Sequence, residues 1–185
     1  GASAVASDNA AARADVIVLA TAYDDAVSAL KSVGDLRGKI VIDVTNPLTA
    51  DYMGLTLGHS SSAAEEIAHA VPGAEVVKAF NTVFSQVLAE GAKLGDQTVP
   101  VFVASDSARA KEAASALAQS MGFASIDAGG LKNARYLEPL AGLNVCLCRQ
   151  NQRKGTLRPF LIRHHPEHEF QPRIGRMGLE GLAHL

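Results

Sequence analysis

Three short stretches of this 185-residue chain carry residue types suited to holding a flat, uncharged ligand: Thr21-Ala22-Tyr23-Asp24, Thr45-Asn46-Pro47-Leu48 and Asn81-Thr82. Small and amide-bearing residues bring backbone N–H and C=O groups close to a ligand without adding charge, as a nicotinamide carboxamide requires. Thr21, Ala22, Tyr23, Asn46, Pro47 and Asn81 include no strong acid, base or nucleophile. That suits hydride transfer, in which the cofactor carries the reactive electrons and the protein orients it. Each stretch also reads as punctuation, because Asn-Pro and similar pairs are common turn formers. Asn81 is the sharpest candidate, since its amide donates and accepts at once. Under the ligand reading, losing it harms turnover more than stability.

Charged and metal-ligating residues give weaker signals. Lys132, Arg135 and Glu138 recur at i, i+3 and i+6 and so share a helix face. They read as a solvated stripe with local pairs of ~0.2–0.5 kcal/mol each, or as Lys132 and Arg135 meeting an anionic substrate or a partner subunit. Lys78 ends a strand and reads as a snorkelling edge lysine. His164, His165 and His168, taken with Cys146 and Cys148, match no zinc-binding spacing, and Pro166 interrupts the histidines. No metal site is expected, and no catalytic side chain is assigned.

The elements that must position these residues alternate in kind. Apolar, β-branched runs at 15–20, 39–44, 75–80 and 99–104, with a shorter one at 124–127, predict strands. Helical spacing predicts helices over 23–33, 61–71, 107–121 and 131 to about 148, the second with a serine N-cap and acidic first turns. Strands alternating with helices of this length mean βαβ units and a mostly parallel sheet covered on both faces. Ligands then collect at the carboxyl ends of the strands, where the three stretches and Ala128-Gly129-Gly130 fall.

Composition narrows the class further. Hydrophobic residues make up 48% and charged residues 19%, with a formal net charge of −2. No electrostatic case for nucleic acid or an anionic membrane follows. No apolar stretch reaches the ~20 residues that span a bilayer, and two cysteines so close together suit a reducing cytoplasm. From Arg149 onward seven Lys/Arg face three Asp/Glu, a charge of +4 against −6 for the rest. Residues 1–148 therefore read as the folded domain and 149–185 as a basic tail containing His and Pro.

The runs ADVIVLATAYDDAVSAL, GKIVIDVTNPL, EVVKAFNTVFSQVL, VPVFVASDSARAKEAASAL and DAGGLKNARYLEPLAGLN stand in order at near-uniform spacing. In that arrangement they resemble the NADP oxidoreductases dependent on the deazaflavin coenzyme F-420. They are also similar to the NADPH-dependent ferric reductase domains of the six-transmembrane prostate antigens. The resemblance covers roughly residues 1–148 and implies an α/β, Rossmann-like, doubly wound fold. It implies NADP(H) as cofactor, a flavin or deazaflavin as the small-molecule electron partner, and a homodimer through the C-terminal helix.

By the same resemblance, Thr21, Ala22 and Tyr23 would line the cofactor ribose, and Asn46 and Pro47 would lie near the nicotinamide. Asn81 stands where the deazaflavin enzymes carry His and the ferric reductase domains carry Asn. Family members open with a strand, a G-x-G-x-x-G turn, a helix, a second strand ending in a Ser/Arg that reads the 2′-phosphate, and another helix. Gly1-Ala2-Ser3-Ala4-Val5 aligns just after these, so the expected sheet is N-terminally truncated, with the first two strands absent. No G-x-G-x-x-G occurs in the 185 residues, so the turn that brings backbone to a pyrophosphate is missing. The alternative reading is a non-catalytic remnant that serves as a dimerisation or assembly module.

Overall fold

The computed structural model describes residues 10–153, together with residues 4, 6 and 7. The histidine-containing segment and most of the expected tail lie outside the described residues.

The apolar runs become short strands. β1 (Val16–Leu19), β2 (Ile40–Asp43) and β3 (Glu75–Lys78) pair in parallel in that order, with Val16 opposite Ile40 and Ile40 opposite Glu75. Between them run α1 (Tyr23–Ser32) and α2 (Ala63–Ala70). α1 carries Asp24 and Asp25 in its first turn, where their charge complements the positive end of the helix dipole. α2 starts at Ser62, whose hydroxyl accepts from the Glu65 N–H at 3.3 Å. Both helices cover one face of the sheet, where Leu19, Ala26, Leu30, Val41, Ile67 and Val76 form one core.

α3 (Ser85–Glu90) and a small antiparallel hairpin, β4 (Lys93–Leu94) with β5 (Gln97–Thr98), follow β3. The Gly95-Asp96 loop turns the hairpin with Gly95 at φ +61, a conformation that favours glycine. β6 (Pro100–Val103), α4 (Ala108–Ser120) and β7 (Ala124–Asp127) make a second parallel pair, and α5 (Ala134–Arg153) closes the order. α4 lies on the opposite face of the sheet through Ala110, Ala114 and Ala118. Alanines at this spacing form a small-residue ridge that lets the helix approach the strands closely.

The two parallel groups meet through an antiparallel bridge between Lys78 and Ala104, with N···O distances of 2.9 and 3.0 Å in the two directions. β6 and β7 thus run against β1–β3. Arg109, at the head of α4, reaches Glu75 and the Gly38 carbonyl beside the amino ends of β2 and β3. The loop after β7 therefore does not share an edge with those after β2 and β3, contrary to the expectation of one common carboxyl edge. Gly129 and Gly130 pack instead against Asn133 and Asp106.

β1 is outermost among the described strands. Val16 and Val18 are exposed on the α4 side, because α4 covers β2, β3, β6 and β7 but stops short of β1. α5 continues without a break through Arg149, where the composition changes, to Arg153.

Candidate functional site

β2 and β3 end side by side, with Asp43 opposite Lys78. Their following turns bring Asn46 and Asn81 together across 35 residues of sequence. The Asn46 Nδ2 donates to the Asn81 carbonyl at 2.9 Å, and the Asn81 Nδ2 donates to the Asn46 Oδ1 at 3.0 Å. The same Asn81 Nδ2 also donates to the Leu137 carbonyl of α5 at 3.0 Å. Two acceptors on one amide nitrogen fix which way the amide faces. Phe80, immediately before it, sits at φ +61, a conformation that costs a non-glycine residue about 1 kcal/mol or more and clusters at functional positions.

Asn81 is 7% exposed, and its Oδ1 has no hydrogen-bond partner. Leaving a buried acceptor unpaired costs about 1–3 kcal/mol. Thr45 Oγ1 is similarly buried and unpartnered. Asn46 and Asn81 line one wall of a cavity of about 460 Å3. Val18, Ala20 and Val44 from the sheet, Leu88 of α3, and Leu117 and Met121 at the end of α4 make the rest largely apolar.

The other expected cofactor residues are placed differently. Thr21 and Ala22 are exposed at the head of α1, and Pro47 is fully buried. The Pro47 carbonyl accepts from the Thr56 N–H at 2.7 Å. Tyr23 is half-buried at the start of α1, and burial, then the Glu66 carboxylate, raises its phenol above the ordinary range. None of these four lines the cavity.

The stripe of Lys132, Arg135 and Glu138 is not a solvated face. Lys132 is exposed on the turn before α5. Arg135 makes a two-pronged pair with Glu65 at 2.7 and 2.8 Å, which holds that carboxyl below its usual range. Glu138 is buried, as is Lys78, which is therefore not a snorkelling edge residue. The Lys78 Nζ donates to Asp43 Oδ2 at 2.7 Å and to the Thr45 carbonyl at 2.8 Å, and forms an ion pair with Glu138 Oε1 at 2.8 Å. Glu138 also accepts from the Ala63 and Ala64 N–H groups at 2.9 and 3.2 Å, capping α2. Asp43 Oδ1 accepts from the Thr45 N–H at 2.8 Å.

This Asp43–Lys78–Glu138 network is the part of the site that sequence reasoning missed. Its available signal was a charged residue at the end of each of two apolar strand runs. Such positions are buried when the sheet is covered, and buried charges need partners. Among the described residues, no group of three His, Cys, Asp or Glu could hold a metal ion, and no helix is long and apolar enough to cross a membrane.

The chain is similar to several known proteins. A family model described as NADP oxidoreductase, coenzyme F-420-dependent, matches residues 1–47. The crystal structure of a putative F-420-dependent NADP reductase from an Arthrobacter species superposes with a TM-score of 0.69. It is 32% identical, covering 80% of this chain and 68% of that one. The chain belongs to this family. The F-420-dependent NADP reductase of Methanothermobacter thermautotrophicus is 34% identical over 152 residues, 78% of this chain and 65% of that protein. Rat metalloreductase STEAP3 is 31% identical over 161 residues, 78% of this chain and 32% of that protein. The chain thus spans 32% and 65% of the length of these two curated relatives.

Proposed function

We propose that this family member is an NADP(H)-dependent oxidoreductase that moves a hydride between NADP(H) and a flavin or deazaflavin acceptor, with the nicotinamide end held in the cavity beside Asn46 and Asn81. The observation that carries the reading is the unpaired, buried Asn81 Oδ1 at the carboxyl end of β3. A carboxamide N–H is the kind of donor that would satisfy it. The atom is closed to solvent, so a donor reaching it must first displace a wall side chain.

When bound, the nicotinamide supplies the hydride chemistry. The chain's own residues bind and shield it. Asn81 offers the acceptor, Asn46 holds the Asn81 backbone, and the apolar walls of Val18, Val44, Leu88 and Leu117 exclude water and present no charge to the ring. Thr21, Ala22 and Tyr23 stand beside the same strand ends and are assigned to the cofactor's ribose side, and Pro47, next to Asn46, to its nicotinamide side. Lys132, exposed before α5, remains the candidate for an anionic substrate, whereas Arg135 is committed to Glu65.

A homodimer through α5 belongs to the same reading. Tyr136, Leu140, Leu143 and Leu147 fall at i, i+4, i+7 and i+11, with Tyr136 and Leu143 exposed. That is the spacing of a two-helix seam.

Titration calorimetry of the 185-residue chain with NADPH, beside 2′-phospho-ADP-ribose, tests the proposal. NADPH should bind more tightly than the fragment that lacks nicotinamide. With no glycine-rich loop to hold the pyrophosphate, its Kd should be no tighter than about 100 µM, or ~5.5 kcal/mol. Equal affinity for the two ligands would remove the nicotinamide from the cavity.

A further inference from the structure

We infer that Lys78 and Glu138 are positioning residues that aim the Asn81 amide at the nicotinamide carboxamide, and so set the preference for an amide-bearing cofactor. The inference rests on the functional reading above. Both N–H groups of Asn81 are spent, one on Asn46 Oδ1 and one on the Leu137 carbonyl. Each acceptor sits one residue from a ligand of the Lys78 ammonium. Thr45, whose carbonyl Lys78 holds at 2.8 Å, precedes Asn46, and Glu138, paired at 2.8 Å, follows Leu137.

Glu138 is itself fixed by two backbone N–H groups at the start of α2, so α5 cannot slide without breaking that cap. One buried cation therefore ties together the β2 turn, the β3 turn and α5. The result is an amide rotated so that its nitrogen faces protein and its oxygen is left for a donor. A lysine serves here because its ammonium, carried on β3, reaches acceptors on two other segments at once: Asp43 and Thr45 at the end of β2, and Glu138 on α5.

Asn81 Oδ1 can accept from a carboxamide but cannot bond a methyl ketone, which has no donor. The wild-type chain should therefore bind NADP+ about tenfold more tightly than its 3-acetylpyridine analogue, the usual effect of leaving one buried acceptor unpaired. If Glu138 and Lys78 aim the amide, Glu138→Gln and Lys78→Met should bind the two nucleotides within about twofold of each other. Glu138→Gln keeps the shape and one acceptor for the α2 cap, so it remains informative should Lys78→Met fail to fold.

The measurement is calorimetric Kd for both nucleotides on each variant, with circular dichroism and thermal melting to establish folding. Lost discrimination in a folded Glu138→Gln protein, with the wild type discriminating, supports the inference. Discrimination retained at the wild-type ratio in that variant overturns it while leaving the Asn81 reading intact. No discrimination in the wild type itself overturns the Asn81 reading, and this inference with it.

Discussion

Replacing Lys78 by Met removes the cation from a site with two buried carboxylates, and the structure allows the cost to be worked out. Two charge-assisted hydrogen bonds, to Asp43 and the Thr45 carbonyl, and the ion pair with Glu138 disappear, all at 2.7–2.8 Å. Asp43 keeps one partner, the Thr45 N–H, and Glu138 keeps two at the α2 terminus. Neither carboxylate is left wholly bare, so the expected loss is that of a broken buried pair, about 3–5 kcal/mol, and no more. Urea unfolding should show a midpoint lowered by roughly 2 M at a slope of about 2 kcal/mol/M. The triple variant Lys78→Met with Asp43→Asn and Glu138→Gln removes the uncompensated charge and should recover at least half of the loss, because neutral networks cost far less to bury. A loss below about 1 kcal/mol in the single variant, or no recovery in the triple, would refute the reasoning.

Two further outcomes follow from the same contacts. Asn81→Ser abolishes two donated hydrogen bonds and should cost about 1–3 kcal/mol in thermal unfolding, as well as roughly tenfold in NADPH affinity; an unchanged melting temperature would show that the amide is not held by Asn46 and Leu137. Glu65 is depressed chiefly by the Arg135 hydrogen bonds and then by Ser62, so its contribution is present above the ordinary unfolded value of about 4.3 and is lost as pH falls through the depressed one. Arg135→Gln should therefore melt lower than wild type at pH 7 by about 1 kcal/mol, and the gap should close in acid; a gap constant from pH 7 to pH 3 would exclude the pair as its source.

The stability cost predicted for Asn81→Ser differs from the sequence expectation for a physical reason. As a residue after a strand, Asn81 reads as a turn former or a ligand contact, and in both roles its removal spares stability. Burial changes that, because α5 arrives from 56 residues away to accept from its side chain. Strand and helix positions were legible because they rest on local periodicity, and the Asn46 and Asn81 edge followed from strand order. The antiparallel turn of β6 was not legible: the run Pro100–Val103 is equally apolar in either direction, and only its pairing with Lys78 decides it. Tertiary register likewise separated Gly129-Gly130 from the site. The Gly95-Asp96 hairpin did carry a readable signal, a two-residue glycine turn, but its strands are too short for alternation to show.

The charged network explains how a site can be rigid with so few local restraints. Asn46, Asn81 and Leu137 lie on three segments that share no regular pairing at that point, and an apolar contact among them would be non-directional. A lysine ringed by acceptors at fixed distances is directional, and moving any one segment leaves a buried charge unpaired, at a cost far above thermal energy. The price is a stability that depends on every member of the network at once. Glu138 shows this most clearly. On the sequence it belongs to a polar stripe with Lys132 and Arg135, yet in the fold it faces inward, caps α2 and pairs with Lys78. Arg135, one turn earlier, reaches the same helix from outside through Glu65. α5 thus grips the start of α2 by a buried carboxylate and a half-buried guanidinium, and the Leu137 carbonyl between them is what orients Asn81.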